Sequence, residues 1–172
     1  MKQLNFFDKS LEKMTSCDAK EINYWKLYID GASRNNPGPA GVGIYLLKND
    51  KLAVKKGCYI GTKTNNQAEY MALLLGLFYA KKYICSNDLL LIISDSQLLV
   101  RQLEGSYKVK NPELMTLYRL AKKLLHGIHY NVLHVLREDN KEADQMANIG
   151  IDSKKKLPKE FINILQSYEI QL

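Results

Sequence analysis

The chain has 172 residues, which is enough for one domain with a sizeable buried core. No apolar run approaches the ~20 residues that cross a bilayer, and acidic residues near the N-terminus argue against a transit peptide, so we expect no membrane association. Three widely spaced cysteines fit neither a disulfide framework nor a zinc site, and predict reduced thiols in a cytoplasmic protein. The net charge is +7, and residues 23–150 hold 17 basic and 11 acidic side chains. That excess suits a polyanionic partner, although solubility alone would also explain it.

The predicted elements begin after residues 1–23, an N-terminal extension whose pattern permits a short helix. Three strands follow in the segments YWKLYID, GVGIYLLK and KLAVKKGCYIG, and Asn49-Asp50 marks a tight turn between the last two. We expect these strands to form an antiparallel meander. A helix with apolar residues at helical spacing begins after the capping side chains of residues 64–66, and DLLLIIS is typical of a strand buried on both faces.

Two further helices, in DSQLLVRQL and NPELMTLYRLAKKLLHG, lead to a fifth strand in IHYNVLHVLR and a short helix in NKEADQMANIG. The central domain would therefore cover residues 24–150. Residues 151–172 are predicted to be a basic linker and a helix that starts near Pro158. Three antiparallel strands, followed by two strands reached through helices, predict an α/β fold: a mixed five-stranded sheet, its last two strands parallel, flanked by helices.

Four carboxylates occupy unusual positions, and three of them sit among apolar neighbours, where an unpaired charge would be unfavourable. Asp30 ends the first strand and Asp95 ends the fourth, so both reach one sheet edge if these strands are parallel neighbours. Glu69 lies in the first turns of the helix after the third strand, and Asp144 lies in the short helix after the fifth. Four converging carboxylates predict a site for Mg²⁺ or Mn²⁺, and a metal site in a basic domain favours phosphodiester chemistry. The alternative is a set of helix-terminus acids and structural ion pairs.

Four segments, YIDGASRNNPGPAG, TKTNNQAEY, IISDSQLLV and REDNKEADQMAN, resemble the motifs of type 1 ribonuclease H. With the element order between them, the resemblance covers roughly residues 24–150. It implies a monomeric endoribonuclease that hydrolyses the RNA strand of an RNA–DNA hybrid with two Mg²⁺ ions, for which Mn²⁺ can substitute, and leaves 5′-phosphate and 3′-hydroxyl ends. It also implies that Asp30 and Asp95 share both ions, while Glu69 holds the ion on the leaving-group side. Asp144 would hold the ion that activates water.

The same resemblance assigns substrate contacts to polar loops. The side chains expected in the minor groove are those of Asn65, Asn66 and Gln97. Backbone groups at Gly31 and Ser33 would lie along the RNA strand, and Asn36 and Thr64 would hold a phosphate of the DNA strand. Thr64 and Asn65 would equally serve as helix caps, and the two roles are compatible.

The sequence departs from many family members in two places. The loop LREDN before Asp144 has no histidine; Arg137 is the nearest candidate for that role, with a simple surface arginine as the alternative. His134 is interpreted as a structural residue of the fifth strand. The basic, Trp-rich protrusion after the third acid is also missing, so the chain is similar to the short variant of the family. Lys154–Lys156 or the N-terminal segment would then have to bind the substrate in its place. Double-stranded RNA becomes a second candidate substrate.

Three other functions remain open from the sequence. A non-catalytic hybrid-binding module on the same fold predicts damaged metal ligands, and no damage is visible. Another nuclease of the superfamily would share the acids but would not be expected to carry both TNNQAE and SDSQ. A structural RNA-binding protein with incidental acids predicts an affinity that is indifferent to Mg²⁺.

Overall fold

The computed structural model describes residues 21–172. Its strands and helices are, in chain order, β1 (Tyr24–Ser33), β2 (Gly38–Lys48), β3 (Lys51–Lys63), α1 (Asn65–Ala80), β4 (Leu89–Ser94), α2 (Gln97–Leu103), α3 (Pro112–Leu125), β5 (His129–His134), a short 3₁₀ turn (Arg137–Asp139), α4 (Lys141–Ser153) and α5 (Lys159–Ser167). Across residues 21–172, no helix has the length and apolar character that a membrane span requires. The short helix expected near the N-terminus falls in residues 1–20, outside the described residues.

The five strands form a mixed sheet in the order β3-β2-β1-β4-β5. β1 pairs antiparallel with β2, and β2 pairs antiparallel with β3. β4 runs parallel to both β1 and β5. Asn49 and Asp50 connect β2 to β3 with φ angles of 48° and 62°, which is the two-residue turn that suits the twist of a hairpin. The predicted fold class, sheet composition and hairpin are confirmed.

The first strand is longer than its sequence pattern predicted. β1 does not end at Asp30 but continues to Ser33, because β2 keeps pairing with it as far as the Ser33–Ala40 pair. The parallel pairing with β4 stops earlier, at the Tyr28–Ile93 pair. The predicted strand end is therefore wrong on the β2 side, yet Asp30 still lies just beyond the point where β1 and β4 separate. Because the sheet splits there, the Asp30 side chain lies next to the segment that follows β4.

Helix α1 lies in the middle of the core on one face of the sheet. Thr64 and Gln67 form a reciprocal capping box that starts the helix, as the polar residues before it predicted. Eleven of its sixteen residues are buried, so it is covered by β1 and β2 on one side and by α3 on another. A helix that is buried over most of its length is a rigid support, and Glu69 lies in its second turn.

Helix α4 packs on the opposite face of the sheet, across β1, β2 and β3. The packing is close because glycines lie under it. A Cβ on Gly43 would be 1.9 Å from the Ala143 oxygen, and one on Gly57 would be 2.0 Å from the Met146 oxygen. Both contacts are shorter than any real carbon–oxygen contact, so only glycine permits this approach of helix to sheet.

The C-terminal segment shares the core of the remaining structure. Helix α4 runs through residue 150, the predicted edge of the central domain, and ends at Ser153. A helix follows Pro158 as predicted. Its Phe161 and Leu165 are fully buried within the same hydrophobic cluster as the strands and α1.

Candidate active site

Three of the four predicted acids converge where β1 and β4 part. Asp30 comes from β1, Glu69 from the second turn of α1, and Asp95 from the residue after β4. One carboxylate oxygen from each lies within 4.8 Å of the other two. We call these residues the three-acid cluster. Gly31 makes the convergence possible, because a Cβ there would be 2.1 Å from the Ala68 carbonyl carbon, and this close approach brings Glu69 beside Asp30.

The electrostatics of the three-acid cluster are those of an anionic site without a matching cation. Burial, followed by the charges of Asp95 and Asp144, raises the pKa of Asp30 to about 7. Burial also raises the pKa of Glu69 well above its usual value, followed by the charges of Asp30 and Asp95. None of the ion pairs found within residues 21–172 involves these three carboxylates.

One atom of the three-acid cluster lacks a partner altogether. The Oε2 atom of Glu69 is buried and accepts no hydrogen bond in the described part of the chain. A backbone hydrogen bond from Gly31 to the Glu69 carboxylate offsets the burial only in part. Buried polar atoms almost always have a partner, so an orphaned carboxylate oxygen facing two more acids points to a missing one. A hard divalent cation with oxygen ligands fits this donor set.

The fourth acid, Asp144, lies at the rim of the cluster and not within it. It occupies the first turn of α4, and its Oδ1 accepts hydrogen bonds from the Arg137 side chain, at 3.1 Å from Nε and 2.5 Å from Nη2. Its charge still contributes to the raised pKa of Asp30. In the ion pair, the side chain of Arg137 is 75% exposed and that of Asp144 is 26% exposed. Arg137 is therefore held at the mouth of the site by a carboxylate of the site.

Sequence reasoning missed Asn140, whose side chain is almost completely buried. Its Nδ2 donates to the Ile29 backbone oxygen at 2.9 Å and to Asp95 Oδ1 at 3.0 Å. Asn140 is the N-cap residue of α4, yet its side chain makes no capping hydrogen bond. The sequence signal, an asparagine just before a helix, is indistinguishable from that of an ordinary cap.

His134 lies closer to the site than its interpretation as a strand residue suggested. It is the last residue of β5 and is exposed, and its Nε2 is 3.2 Å from the backbone oxygen of Asp95. The parallel pairing of β4 with β5, which places Ser94 opposite His134, explains this position. The sequence alone did not reveal which residue of the fifth strand would meet the residue after β4.

Three of the predicted substrate contacts, Ser33, Asn36 and Asn65, are joined to one another by hydrogen bonds. The Asn36 side-chain oxygen accepts from the backbone N–H of Asn65 at 2.9 Å, and the Asn65 side-chain oxygen accepts from the backbone N–H of Ser33 at 2.9 Å. These bonds tie the loop after β1 to the start of α1, and Thr64 caps that helix. The remaining predicted side chains, Asn66 and Gln97, are exposed in the first turns of α1 and α2.

Comparisons with known proteins agree with this geometry. Residues 28–150 match a family model described as reverse transcriptase-like. A ribonuclease HI of Halobacterium salinarum is 41% identical over 127 residues, which are 73% of this chain and 63% of that protein. A ribonuclease H of Legionella pneumophila is 35% identical over 144 residues, which are 74% of this chain and 96% of that protein.

A solved structure of a metagenomic enzyme, LC11-RNase H1 in complex with an RNA/DNA hybrid, is similar with a TM-score of 0.69 and 33% identity. The match covers 75% of this chain and 97% of that one. The chain spans between 34% and 63% of the length of the first four curated relatives that it matches. The similarity therefore concerns the domain that holds the three-acid cluster.

Proposed function

This chain belongs to the type 1 ribonuclease H family of enzymes, and from that premise we propose that it hydrolyses the RNA strand of RNA–DNA hybrids. The observation that carries the proposal is the three-acid cluster, with its orphaned Glu69 oxygen and the raised pKa of Asp30. Divalent cations would supply the missing partner of the Glu69 oxygen and would lower the pKa of Asp30 by offsetting the neighbouring charges. The expected products carry 5′-phosphate and 3′-hydroxyl ends.

The residues that would hold Mg²⁺ are the three-acid cluster and Asp144. The chemistry that two bound Mg²⁺ ions supply is the activation of water and the stabilisation of charge on the leaving 3′-oxygen, and Mn²⁺ can supply the same. The chain's own contribution is a rigid anionic pocket. Asp30 sits on a central strand and Glu69 on a helix that is buried over most of its length, so neither carboxylate has to be ordered when the substrate arrives.

The polar network beside the cluster would hold the substrate. Backbone groups at Gly31 and Ser33 would follow the RNA strand, and Asn36 and Thr64 would bind a phosphate of the DNA strand. Asn65 is hydrogen-bonded both to Ser33 and to Asn36. The contacts to the RNA strand and to the DNA strand are therefore held at a fixed separation. Exposed Asn66 and Gln97 would reach the minor groove, where the 2′-hydroxyl groups that distinguish RNA are accessible.

Arg137 would contact a phosphate of the RNA strand close to the cleavage point. Its guanidinium is exposed, lies beside the acids, and has the planar donor geometry that matches phosphate oxygens. The ion pair with Asp144 holds it there before substrate binds. In this role Arg137 assists turnover and product release, and the acids bind the cations.

The main test is cleavage of a labelled RNA–DNA hybrid. The chain should cleave only the RNA strand in Mg²⁺ or Mn²⁺, and excess EDTA should abolish cleavage. Asp30→Asn keeps the shape of the side chain but removes its charge, so it should lower the rate by at least about a thousandfold, because a cation ligand is lost. Cleavage that survives EDTA or the substitution would contradict the cation-dependent mechanism.

The same assay separates the remaining alternatives. A hybrid-binding module would bind the hybrid without cleaving it, and another nuclease of the superfamily would cleave DNA branches in preference to hybrids. A structural RNA-binding protein would show an affinity that Mg²⁺ does not change. Duplex RNA in a parallel reaction tests the second candidate substrate, and analysis of the product ends tests for 5′-phosphate.

A second prediction concerns Arg137. Arg137→Ala should lower kcat by about 10- to 100-fold with little change in the affinity for hybrid, since one charged contact near the reacting phosphate is lost. Arg101→Ala is a matched control, because that arginine pairs with Glu104 on the surface of α2. Steady-state kinetics measure kcat, single-turnover kinetics separate the chemical step from product release, and hybrid binding measures the affinity. An unchanged kcat would make Arg137 a simple surface arginine.

A further inference from the structure

Asn140 contacts three of the segments that carry acids of the site: those of Asp30, Asp95 and Asp144. Its side-chain amide donates to the backbone oxygen of Ile29, one residue before Asp30, and to Oδ1 of Asp95. Its backbone oxygen accepts from the N–H of Asp144 at 3.1 Å. One residue thus joins β1, the segment after β4, and the first turn of α4.

The orientation of this amide follows from its partners. Both atoms that it meets, a carbonyl oxygen and a carboxylate oxygen, accept hydrogen bonds and cannot donate them. The group between them must therefore be the NH₂, because a flipped amide would place an oxygen against two other oxygens at 2.9 and 3.0 Å. The bond to Asp95 is charge-assisted, which makes it stronger than a bond between neutral groups.

The hydrogen bonds of Asn140 leave one of its own side-chain atoms without a partner. Asn140 is 1% exposed, and its Oδ1 is buried with no donor among the residues that the structure describes. That unpaired oxygen costs free energy of folding, and the side chain is kept in place by the two acceptors that its NH₂ group satisfies, the Ile29 oxygen and Asp95 Oδ1. The side chain also gives up the capping role that an asparagine usually has at this position.

We propose that Asn140 is a positioning residue, which sets the separation and orientation of the Asp30 and Asp95 carboxylates for cation binding. This inference rests on the proposed function. By holding Oδ1 of Asp95, the amide leaves the second oxygen of that carboxylate for a cation. By holding the Ile29 oxygen, it prevents β1 from moving away from β4 beyond their last shared pair. Outer partners of cation ligands commonly influence affinity about 10- to 100-fold.

The test compares cation binding with stability. Asn140→Leu and Asn140→Ala remove the amide with two different volumes, so that one of them is expected to fold. Mn²⁺ binding to the protein alone is measured by electron paramagnetic resonance, and Mg²⁺ binding by competition. Both variants should bind Mn²⁺ about 10- to 100-fold more weakly than the unaltered chain. Both variants should also melt at a lower temperature, since the Ile29 oxygen and Asp95 Oδ1 lose a donor, so cation binding is measured well below the melting temperature of each variant.

A cleavage assay gives a second readout. Raising the Mg²⁺ concentration should restore most of the kcat of the Asn140 variants, because the ligands themselves remain. Asn111→Ala is the control: Asn111 caps α3 by accepting from the backbone N–H groups of Glu113 and Leu114, and its loss should lower the melting temperature without changing cation affinity.

The possible results separate the inference from the proposed function. Weaker Mn²⁺ binding in the folded Asn140 variants, together with unchanged binding in Asn111→Ala, supports positioning. Unchanged binding in the Asn140 variants overturns positioning and leaves the cation site in place. Equal weakening in Asn111→Ala also overturns it, since general destabilisation would then explain the loss. If the unaltered chain binds no Mn²⁺, the cation site itself is refuted, and the positioning role with it.

Discussion

At the scale of single residues, two buried aspartates show the difference between a structural acid and a functional one. Asp88 is 2% exposed, and although burial alone raises its pKa, hydrogen bonds from Cys85, Trp25 and Asn23 lower it below the usual value. Asp30 is similarly buried but meets other acids, and its pKa is raised to about 7. The sequence singles out Asp30 through its motif, whereas only the hydrogen bonds identify Asp88 as satisfied.

The raised pKa of Asp30 predicts how stability depends on pH when cations are removed. Its ordinary pKa is 3.8, so between about pH 4 and 7 the folded state holds a proton that the unfolded state has released. Stability from this group is therefore present at low pH and is lost as the pH rises through 7. In EDTA at pH 8, Asp30→Asn should melt higher than the unaltered chain by about 5 °C or more, since 1 kcal/mol shifts a chain of this size by about 2–4 °C.

The measurement is thermal unfolding at pH 5 and pH 8, with EDTA and with Mg²⁺. The difference between Asp30→Asn and the unaltered chain should shrink at pH 5 and also in Mg²⁺ at pH 8, where the cation offsets the charge. Asp88→Asn is the matched control, because it removes a carboxylate whose pKa is lowered. It should reduce stability at pH 8. A stability difference for Asp30→Asn that does not change with pH would contradict the assignment of the shift to Asp30.

At the scale of elements, the sequence predicted the type and order of strands and helices well, but it predicted strand ends and pairing less well. The capping residues before α1 and the apolar run of β4 are local signals, and both elements appear where they were expected. The end of β1 was predicted three residues early, because the strand is prolonged by a partner, β2, that local patterns do not specify. Strand ends depend on pairing, and pairing depends on residues far away in sequence.

The candidate site likewise has parts that the sequence predicted and parts that it did not. The acids were identifiable by type and motif, and the structure brings Asp30, Glu69 and Asp95 together. The placement of Asp144 in an ion pair with Arg137 depends on the 3₁₀ turn before α4, which has no strong sequence signal. The role of Asn140 was hidden because its side chain reaches across to Ile29, 111 residues away. Contacts over such distances are set by packing and cannot be deduced from spacing.

At the scale of the whole molecule, the C-terminal helix is integrated into the core around α1. The Phe161 ring lies 5.4 Å from that of Phe78, measured between centroids, and Ile170 closes the end of α5 with a backbone hydrogen bond to Leu165. The sequence suggested an addition to a central domain that ends at residue 150. A segment whose largest side chains are fully buried in a shared cluster should instead unfold together with that domain.

Phe161→Ala tests whether the C-terminal segment unfolds together with the central domain. Removing a fully buried ring should destabilise the whole chain by about 3–5 kcal/mol, and should lower the melting temperature of the strands and of α1 in one transition. Glu160→Ala is the control, because it breaks only the exposed ion pair with Lys82 and should change stability by less than about 1 kcal/mol.

Far-ultraviolet circular dichroism and loss of hybrid cleavage, followed against temperature, should give the same midpoint in each variant. If Phe161→Ala instead melted in two steps, with cleavage lost only in the second, α5 would be a separate addition. One transition is expected because the Phe161 ring packs against Phe78 of α1, the helix that also carries Glu69.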